Sequence, residues 1–389
     1  MSQTLVTNIG LLVTNDSRHD GTPLGLIHGA AMLIEGGKVT WVGESSHAPD
    51  VENKVDAHGK CVIPGFVDSH NHLIFAGDRA EEFRARMMGQ KYSAGGIAST
   101  VALTRAASDA ELRKGALVLV QEGLKSGTTT VEIKSGYGLT VKDEVRSLQI
   151  AKEFTEEVTF LGAHVVPAEF KDSADAYVDL VCGEMLQQVK PHAKWIDVFC
   201  DKGAFTPDQT RRILNAGIEA GLLPRLHANQ LEPGDGIKLG VELGAASVDH
   251  ITYISDSDIQ VLADSSTVAT LLPGAQFSTR SIYPDARPLF EAGVKVALAS
   301  DCNPGSSFTT NMSFVIALAV REHFFSPEQA IWSATQGGAD ALKRTDIGNL
   351  RVGSRADFIL LESDSYIHLA YRPGVWLISE VWKNGSRVN

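Results

Sequence analysis

The chain reads as an α/β protein: a (β/α)8 barrel of the TIM type joined to a small composite β-sandwich domain built from both chain ends. Three observations predict this. Between Pro64 and Leu350, short apolar runs alternate with helical stretches, the pattern of parallel βα units. Polar or ionisable residues stand at the ends of most of these runs, where a barrel gathers its functional groups. Both ends of the chain carry short strand-like pieces separated by turns. The expected division is residues 1–63 and 352–389 in the composite β domain and residues 64–351 in the barrel.

In chain order, Met32–Glu35 and Lys38–Val42 are strand-like, and Gly36-Gly37 between them suits a tight hairpin turn. Capping chemistry marks several helices. Ser108 with Glu111 starts a stretch running to Leu124, Thr206-Pro207 with Gln209 starts one ending near Gly221, and Ser326-Pro327 with Gln329 starts another. Eight apolar runs then end near His72, Ser135, His164, Cys200, His227, His250, Pro273 and Asp301. After Leu350 the strand-like pieces return, at Ala356–Leu361 and at Val375–Trp382 before Lys383-Asn384-Gly385. No internal repeat argues for a solenoid.

At 389 residues, with 43% apolar and 21% charged residues, the chain has the balance of a folded enzyme-sized protein. A formal charge of -12, without clustered Lys and Arg, argues against nucleic acid as a partner. Cys61, Cys182, Cys200 and Cys302 are widely spaced and form no Cys-x-x-Cys pair, so they are expected to be free thiols in a reducing compartment. The N-terminus lacks a basic stretch followed by an apolar run, and no apolar run is long enough to span a bilayer. A cytoplasmic protein with no membrane partner is the expectation.

The sharpest local signal is Pro64-Gly65-Phe66-Val67-Asp68-Ser69-His70-Asn71-His72. On a strand, positions two apart share a face, so His70 and His72 can point together into a barrel mouth and bind one metal ion. Alone, His-x-His is as readily two locally hydrogen-bonded histidines. His227 and His250 end the fifth and sixth runs, where a single histidine is more often structural, and Asp301 ends the eighth, where a turn or helix-capping role is the ordinary use. Their joint occurrence on one barrel face changes the balance. Imidazoles and a carboxylate converging there are costly to bury unless a cation or a substrate satisfies them.

With His70-x-His72 on strand one, His227 on strand five, His250 on strand six and Asp301 on strand eight, the sequence resembles the amidohydrolase superfamily over nearly its whole length. The stretch Gly348-Asn349-Leu350-Arg351-Val352-Gly353-Ser354-Arg355-Ala356-Asp357-Phe358 is similar to that family's passage from barrel to composite β domain. Two-metal members bridge their ions through a lysine at the end of strand four. Here that end reads Ile196-Asp197-Val198-Phe199-Cys200-Asp201, and Lys202 just beyond it is read as a solvated loop charge. One metal ion, zinc or iron, divalent or trivalent, is therefore what the resemblance implies, held by His70, His72, His227 and Asp301.

Four further segments resemble one branch of the superfamily, which hydrolyses the ring amide of a small carboxylate-bearing heterocycle. They are His72-Leu73-Ile74-Phe75-Ala76-Gly77-Asp78-Arg79, Thr128–Gly138, Phe160–Pro167 and Asp301-Cys302-Asn303-Pro304-Gly305-Ser306. The resemblance implies that Arg79, Tyr137, His164, Asn303, Gly305 and Ser306 contact this substrate. The Arg79 guanidinium suits a carboxylate, and its ordinary alternative is a surface ion pair. Tyr137 and His164 can hydrogen-bond the ring or simply brace their strands, and Asn303 and Gly305 also suit an ordinary turn. One departure stands out. Members of the branch carry an acidic residue two or three positions after the strand-five histidine, whereas this chain reads His227-Ala228-Asn229-Gln230. Gln230 can hydrogen-bond substrate but cannot exchange a proton. Proton transfer is then expected to rest on Asp301 and His250. A homodimer is the implied assembly. The rival readings are a single-metal deaminase of a heterocycle and a non-catalytic scaffold.

Overall fold

The computed structural model describes residues 3–90 and 96–388. By internal contacts the chain divides into two compact units. The first comprises Met1–Ser69, Gln121–Thr130 and Asn311–Asn389, and the second His70–Val120 and Val131–Thr310.

In the first unit, β1 (Gln3–Val13) pairs antiparallel with β2 (Leu26–Glu35), and β2 pairs antiparallel with β3 (Lys38–Glu44). Strands β4 (Lys54–Asp56) and β5 (Cys61–Pro64) run parallel to β1. The hairpin turn is Gly36-Gly37, with φ of 57° and 78°. Both values are left-handed, as the tight turn that matches strand twist requires. Successive residues point to opposite faces, and both faces are apolar. Val6, Met32 and Ile34 join one core cluster, while Leu5, Ala31 and Leu33 join another with Trp41 and Val51.

Strand β6 (Phe66–Asp68) pairs with β7 (Thr128–Val131). The second unit is built on a run of parallel strands: β8 (Ile133–Lys134), β9 (Val158–Ala163), β10 (Trp195–Cys200), β11 (Leu223–Pro224), β12 (Leu226–Ala228), β13 (Ser247–His250), β14 (Val268–Leu271) and β15 (Val296–Leu298). β11 and β12 both pair with β10 and flank Arg225 as one interrupted strand. At the carboxyl ends, the segment after β6 lies between the two ends of this run. Lys134 N–H donates to the Asn71 carbonyl at 2.8 Å, Asp301 N–H donates to the His70 carbonyl at 3.1 Å, and His72 N–H donates to the Cys302 carbonyl at 3.0 Å. The result is a curled parallel sheet consistent with a (β/α)8 barrel.

The chain then returns to the first sheet. β16 (Phe358–Leu361) pairs antiparallel with β5 and with β17 (Ile378–Lys383), which pairs with β18 (Ser386–Arg387). Strands from both chain ends thus share one mixed sheet. The expected helix starts are present. Thr206 and Ser326 form reciprocal capping boxes with Gln209 and Gln329, and Ser108 exchanges hydrogen bonds with Glu111.

Phe358 is buried in the first unit's core, and its ring stacks on Trp382 with centroids 5.2 Å apart. Phe358→Ala is expected to cost about 3–5 kcal/mol of stability, read from urea unfolding followed by tryptophan emission.

Candidate metal centre and substrate pocket

The site lies wholly in the second unit. His70 and His72 follow β6 by two and four residues, His227 lies in β12, His250 ends β13, and Asp301 follows β15 by three residues. Asp301 Oδ1 lies 3.6 Å from His70 Nε2 and 3.5 Å from His72 Nε2. His227 Nε2 and His72 Nε2 face each other at 3.4 Å. Potential ligand atoms of His70, His72 and Asp301 all lie within 4.8 Å of one another, and so do those of His70, His227 and His250. The structure therefore brings all five predicted residues to one centre. His250 and Asp301 hold φ of 75° and 52°. Left-handed backbone is uncommon for such residues and concentrates at functional sites.

Behind these residues is a set of buried charges that sequence reasoning did not single out. His70 Nδ1 lies 2.7 Å from Asp249 Oδ2, and His227 Nδ1 lies 3.0 Å from Asp197 Oδ1. A carboxylate accepts, so each Nδ1 carries the proton and each Nε2 presents a lone pair to the centre. Lys134 Nζ sits 3.0 Å from both Glu132 Oε1 and Asp197 Oδ2, and Arg225 Nη2 is 3.2 Å from Asp249 Oδ2. These side chains have no solvent exposure. Burial works against ionisation of Asp197 and Asp249. Even so, His227 and Lys134 hold Asp197 below the usual carboxylate range, and Arg225 and Lys134 do the same for Asp249. Glu132 is pushed up by burial against the pull of Lys134. The signal available in the sequence was a set of charged residues inside apolar runs: Val131-Glu132-Ile133-Lys134, Ile196-Asp197-Val198 and Val248-Asp249.

These residues fit a cation. Burial holds His70, His72 and His250 well below the ordinary histidine range, leaving neutral imidazoles, the form that binds metal. His70 Nε2, which faces Asp301 Oδ1, is buried with no hydrogen-bond partner among the described residues. Counted as ionised, Glu132, Asp197, Asp249 and Asp301 outnumber Lys134 and Arg225 by two charges. One divalent ion would cancel that surplus, which is costly to bury alone.

A small pocket opens on this centre, lined by His72, Arg79, Tyr137, His164, His227, Gln230, His250, Asp301, Asn303 and Ser306 with the apolar Ile97 and Phe199. Arg79 is buried and pairs with Glu82 at 2.6 Å. His164 Nδ1 lies 3.0 Å from the Gly136 carbonyl and must donate to it, so Nε2 is the free acceptor. Its burial, with His227 nearby, holds His164 down at about 3. The rings of His164 and His72 stack at 5.2 Å, and Tyr137 tilts against His164 at the same distance.

The loop after Asp301 is tied to itself. Asn303 Oδ1 accepts from the N–H groups of Gly305 and Ser306, and Asn303 Nδ2 donates to the Asp301 carbonyl and to Ser306 Oγ. Ser306 Oγ in turn donates to Asp301 Oδ2 at 3.0 Å. Gly305 does not line the pocket, and its carbonyl accepts from Arg86 at 2.7 Å. Gln230 is presented by a turn in which Asp201 accepts from the N–H groups of Gln230 and Leu231. Lys202 is exposed and pairs with Glu232, the solvated loop charge expected of it.

Residues 61–388 match the amidohydrolase family. Solved structures with similar folds include a triazine hydrolase variant (TM-score 0.77, 19% identity, 99% of this chain and 94% of that one). Another is a guanine deaminase from C. acetobutylicum (TM-score 0.72, 15% identity, 100% of both chains). An atrazine chlorohydrolase from Arthrobacter aurescens complexed with zinc also matches (TM-score 0.70, 18% identity, 99% and 94%). The chain belongs to the amidohydrolase family. Among curated relatives it is 60% identical over 388 residues to the imidazolonepropionase of Mycolicibacterium smegmatis, covering 100% of this chain and 98% of that protein. It is 62% identical over 387 residues to the imidazolonepropionase of Salinispora arenicola, covering 99% and 98%. Within the family, the particular branch it falls in is that of the imidazolonepropionases.

Removing one member of the buried charge set strands its partners. Lys134→Met is expected to lower stability by about 3–5 kcal/mol, while Lys202→Ala stays within about 0.5 kcal/mol, both by chemical denaturation. The depressed His164 gives a pH dependence. The unfolded chain protonates this residue below about pH 6.5, whereas the folded chain does so only near 3. Protons thus favour unfolding across that window, by up to about 1.4 kcal/mol per pH unit from this residue. His164→Gln should flatten the fall of the melting temperature as pH drops from 6.5.

Proposed function

We propose that this chain hydrolyses the ring amide of 4-imidazolone-5-propanoate to N-formimidoyl-L-glutamate, a step of histidine degradation. The observation that carries the reading is the meeting of three buried imidazoles and Asp301 at the floor of a pocket whose wall holds Arg79. Full-length similarity to imidazolonepropionases supports the substrate.

His70, His72, His227 and Asp301 would hold one metal ion, zinc or iron, since both accept nitrogen and carboxylate ligands. When bound, such an ion supplies Lewis acidity that activates water and polarises a carbonyl. The residues do the rest. Arg79 receives the propanoate carboxylate through its forked donors, and Tyr137 and His164 flank the ring. Asp301, steadied by Ser306 Oγ, accepts a proton from the attacking water as it adds to the lactam carbonyl carbon. As the C–N bond breaks, the ring nitrogen takes that proton back from Asp301. His250 stabilises the oxygen that gathers charge. Gln230 donates to or accepts from the substrate without exchanging a proton with it. Asn303 and Ser306, in the pocket lining, contact substrate or product, and Gly305 acts there through the loop it shares with them.

The chain comprises a composite β domain of residues 1–63 and 352–389, its strands arranged as a sandwich, and a (β/α)8 barrel of residues 64–351. The working assembly is a homodimer located in the cytoplasm. Among the described residues, no helix is long and apolar enough to cross a membrane.

The test mixes metal-loaded protein with freshly prepared imidazolone propanoate and follows loss of its ultraviolet absorbance alongside an ammonia assay. Absorbance should fall with no ammonia released, and Asp301→Asn should reduce kcat by about 10²–10⁴-fold. Ammonia release from an aminated heterocycle, with imidazolone propanoate untouched, would sink the reading in favour of a deaminase.

A further inference from the structure

We propose that Gly96 and Gly305 form a slot that seats the Arg79 guanidinium, which makes Gly96 a positioning residue for recognition of the substrate's carboxylate. The proposal rests on the reading above, in which Arg79 receives that carboxylate. Arg79 begins the helix Ala80–Met87 as its N-cap, and its side chain is only 3% exposed. A Cβ on Gly96 would stand 2.6 Å from Arg79 Cζ and 2.5 Å from Glu82 Oε2, and a Cβ on Gly305 would stand 2.9 Å from the same Cζ. Carbon atoms in contact sit about 3.5–4.0 Å apart, so an alanine at either position overlaps the guanidinium.

Backbone conformation does not explain these glycines. Gly96 has φ -67° and ψ -16°, ordinary right-handed helical values, and Gly305 is not among the positive-φ residues. What remains is space, chiefly for Arg79, with Glu82 Oε2 also close at Gly96 and Asn303 Oδ1 at 3.2 Å from a Cβ on Gly305. The Gly305 wall is also held in place. Its N–H is donated to Asn303 Oδ1 at 2.8 Å, and its carbonyl accepts from Arg86 Nη2 at 2.7 Å. Arg86 is itself buried and braced against the Glu82 carbonyl at 3.3 Å. With that wall fixed and Glu82 gripping Nη2 at 2.6 Å, an added methyl displaces the flexible guanidinium rather than the loop. A planar fork held this way before substrate arrives loses little freedom on binding.

The experiment compares Gly96→Ala, Gly305→Ala, Arg79→Ala and the double variant Gly96→Ala/Arg79→Ala in steady-state kinetics of the metal-loaded enzyme on imidazolone propanoate, with melting temperatures alongside. Gly96→Ala should raise KM roughly 10- to 100-fold, the loss of a charge-assisted hydrogen bond, with kcat and melting temperature close to the parent's. On the Arg79→Ala background the same change should add nothing, because the two residues then act as one. An unchanged KM in Gly96→Ala, or a KM effect that multiplies with that of Arg79→Ala, overturns the slot. An Arg79→Ala enzyme with unchanged KM instead overturns the carboxylate assignment beneath it. If Gly96→Ala does not fold, Gly305→Ala carries the same comparison against Arg79→Ala.

Discussion

The constraint on which the rest depends is that Glu132, Lys134, Asp197, Arg225 and Asp249 are ionic groups with no access to water. Each charge taken from water costs several kcal/mol unless a partner meets it at hydrogen-bond distance. Lys134 answers Glu132 and Asp197 together, and Arg225 answers Asp249. Asp197 and Asp249 also accept from His227 Nδ1 and His70 Nδ1. That single arrangement decides which imidazole nitrogens carry protons, and so which lone pairs face the centre. Counted as ionised and taken together with Asp301, it leaves a surplus of two negative charges, which one divalent ion would cancel.

Above this lattice the chain uses strained and self-tied backbone to aim its groups. His250, at the end of β13, and Asp301, three residues past β15, adopt left-handed conformations, a cost of order 1–3 kcal/mol for each residue that only a well-determined surrounding can hold. The Asn303 side chain supplies part of that surrounding. It closes the loop onto the Asp301 carbonyl and onto Ser306, whose hydroxyl meets the Asp301 carboxylate. One carboxylate oxygen is thereby steadied while the other faces His70 and His72. The other pocket wall follows the same logic, with two buried arginines on one short helix: Arg86 holding the Gly305 carbonyl and Arg79 reaching the pocket.

Much of this was legible in the residues. The hairpin at Gly36-Gly37 and the caps at Thr206 and Ser326 were readable because each is decided by neighbours within a few positions. The ends of the parallel strands were readable to within a few residues, because apolar runs stop where side chains must face the mouth. Two-residue spacing brought His70 and His72 to one side, although the backbone there forms an isolated bridge at Asn71–Cys302 and not a continued strand. The place of Asp301 at the end of the eighth run marks it as a candidate, and its role as ligand and proton carrier is what the family resemblance implies. Its partnership with Ser306 could be seen only in three dimensions.

By itself, the sequence determined the kinds of element, their order, and the set of histidines and aspartate that meet at the mouth, since periodicity, capping and strand-end position are local properties of the chain. Tertiary structure alone decided which charges neutralise one another. Lys134 and Asp197 are 63 residues apart in sequence, as their numbers show, yet 3.0 Å apart in space, and no local rule pairs them. It likewise decided that Gly96 and Gly305 bound the same guanidinium, because steric exclusion between distant segments leaves no periodic trace in the sequence.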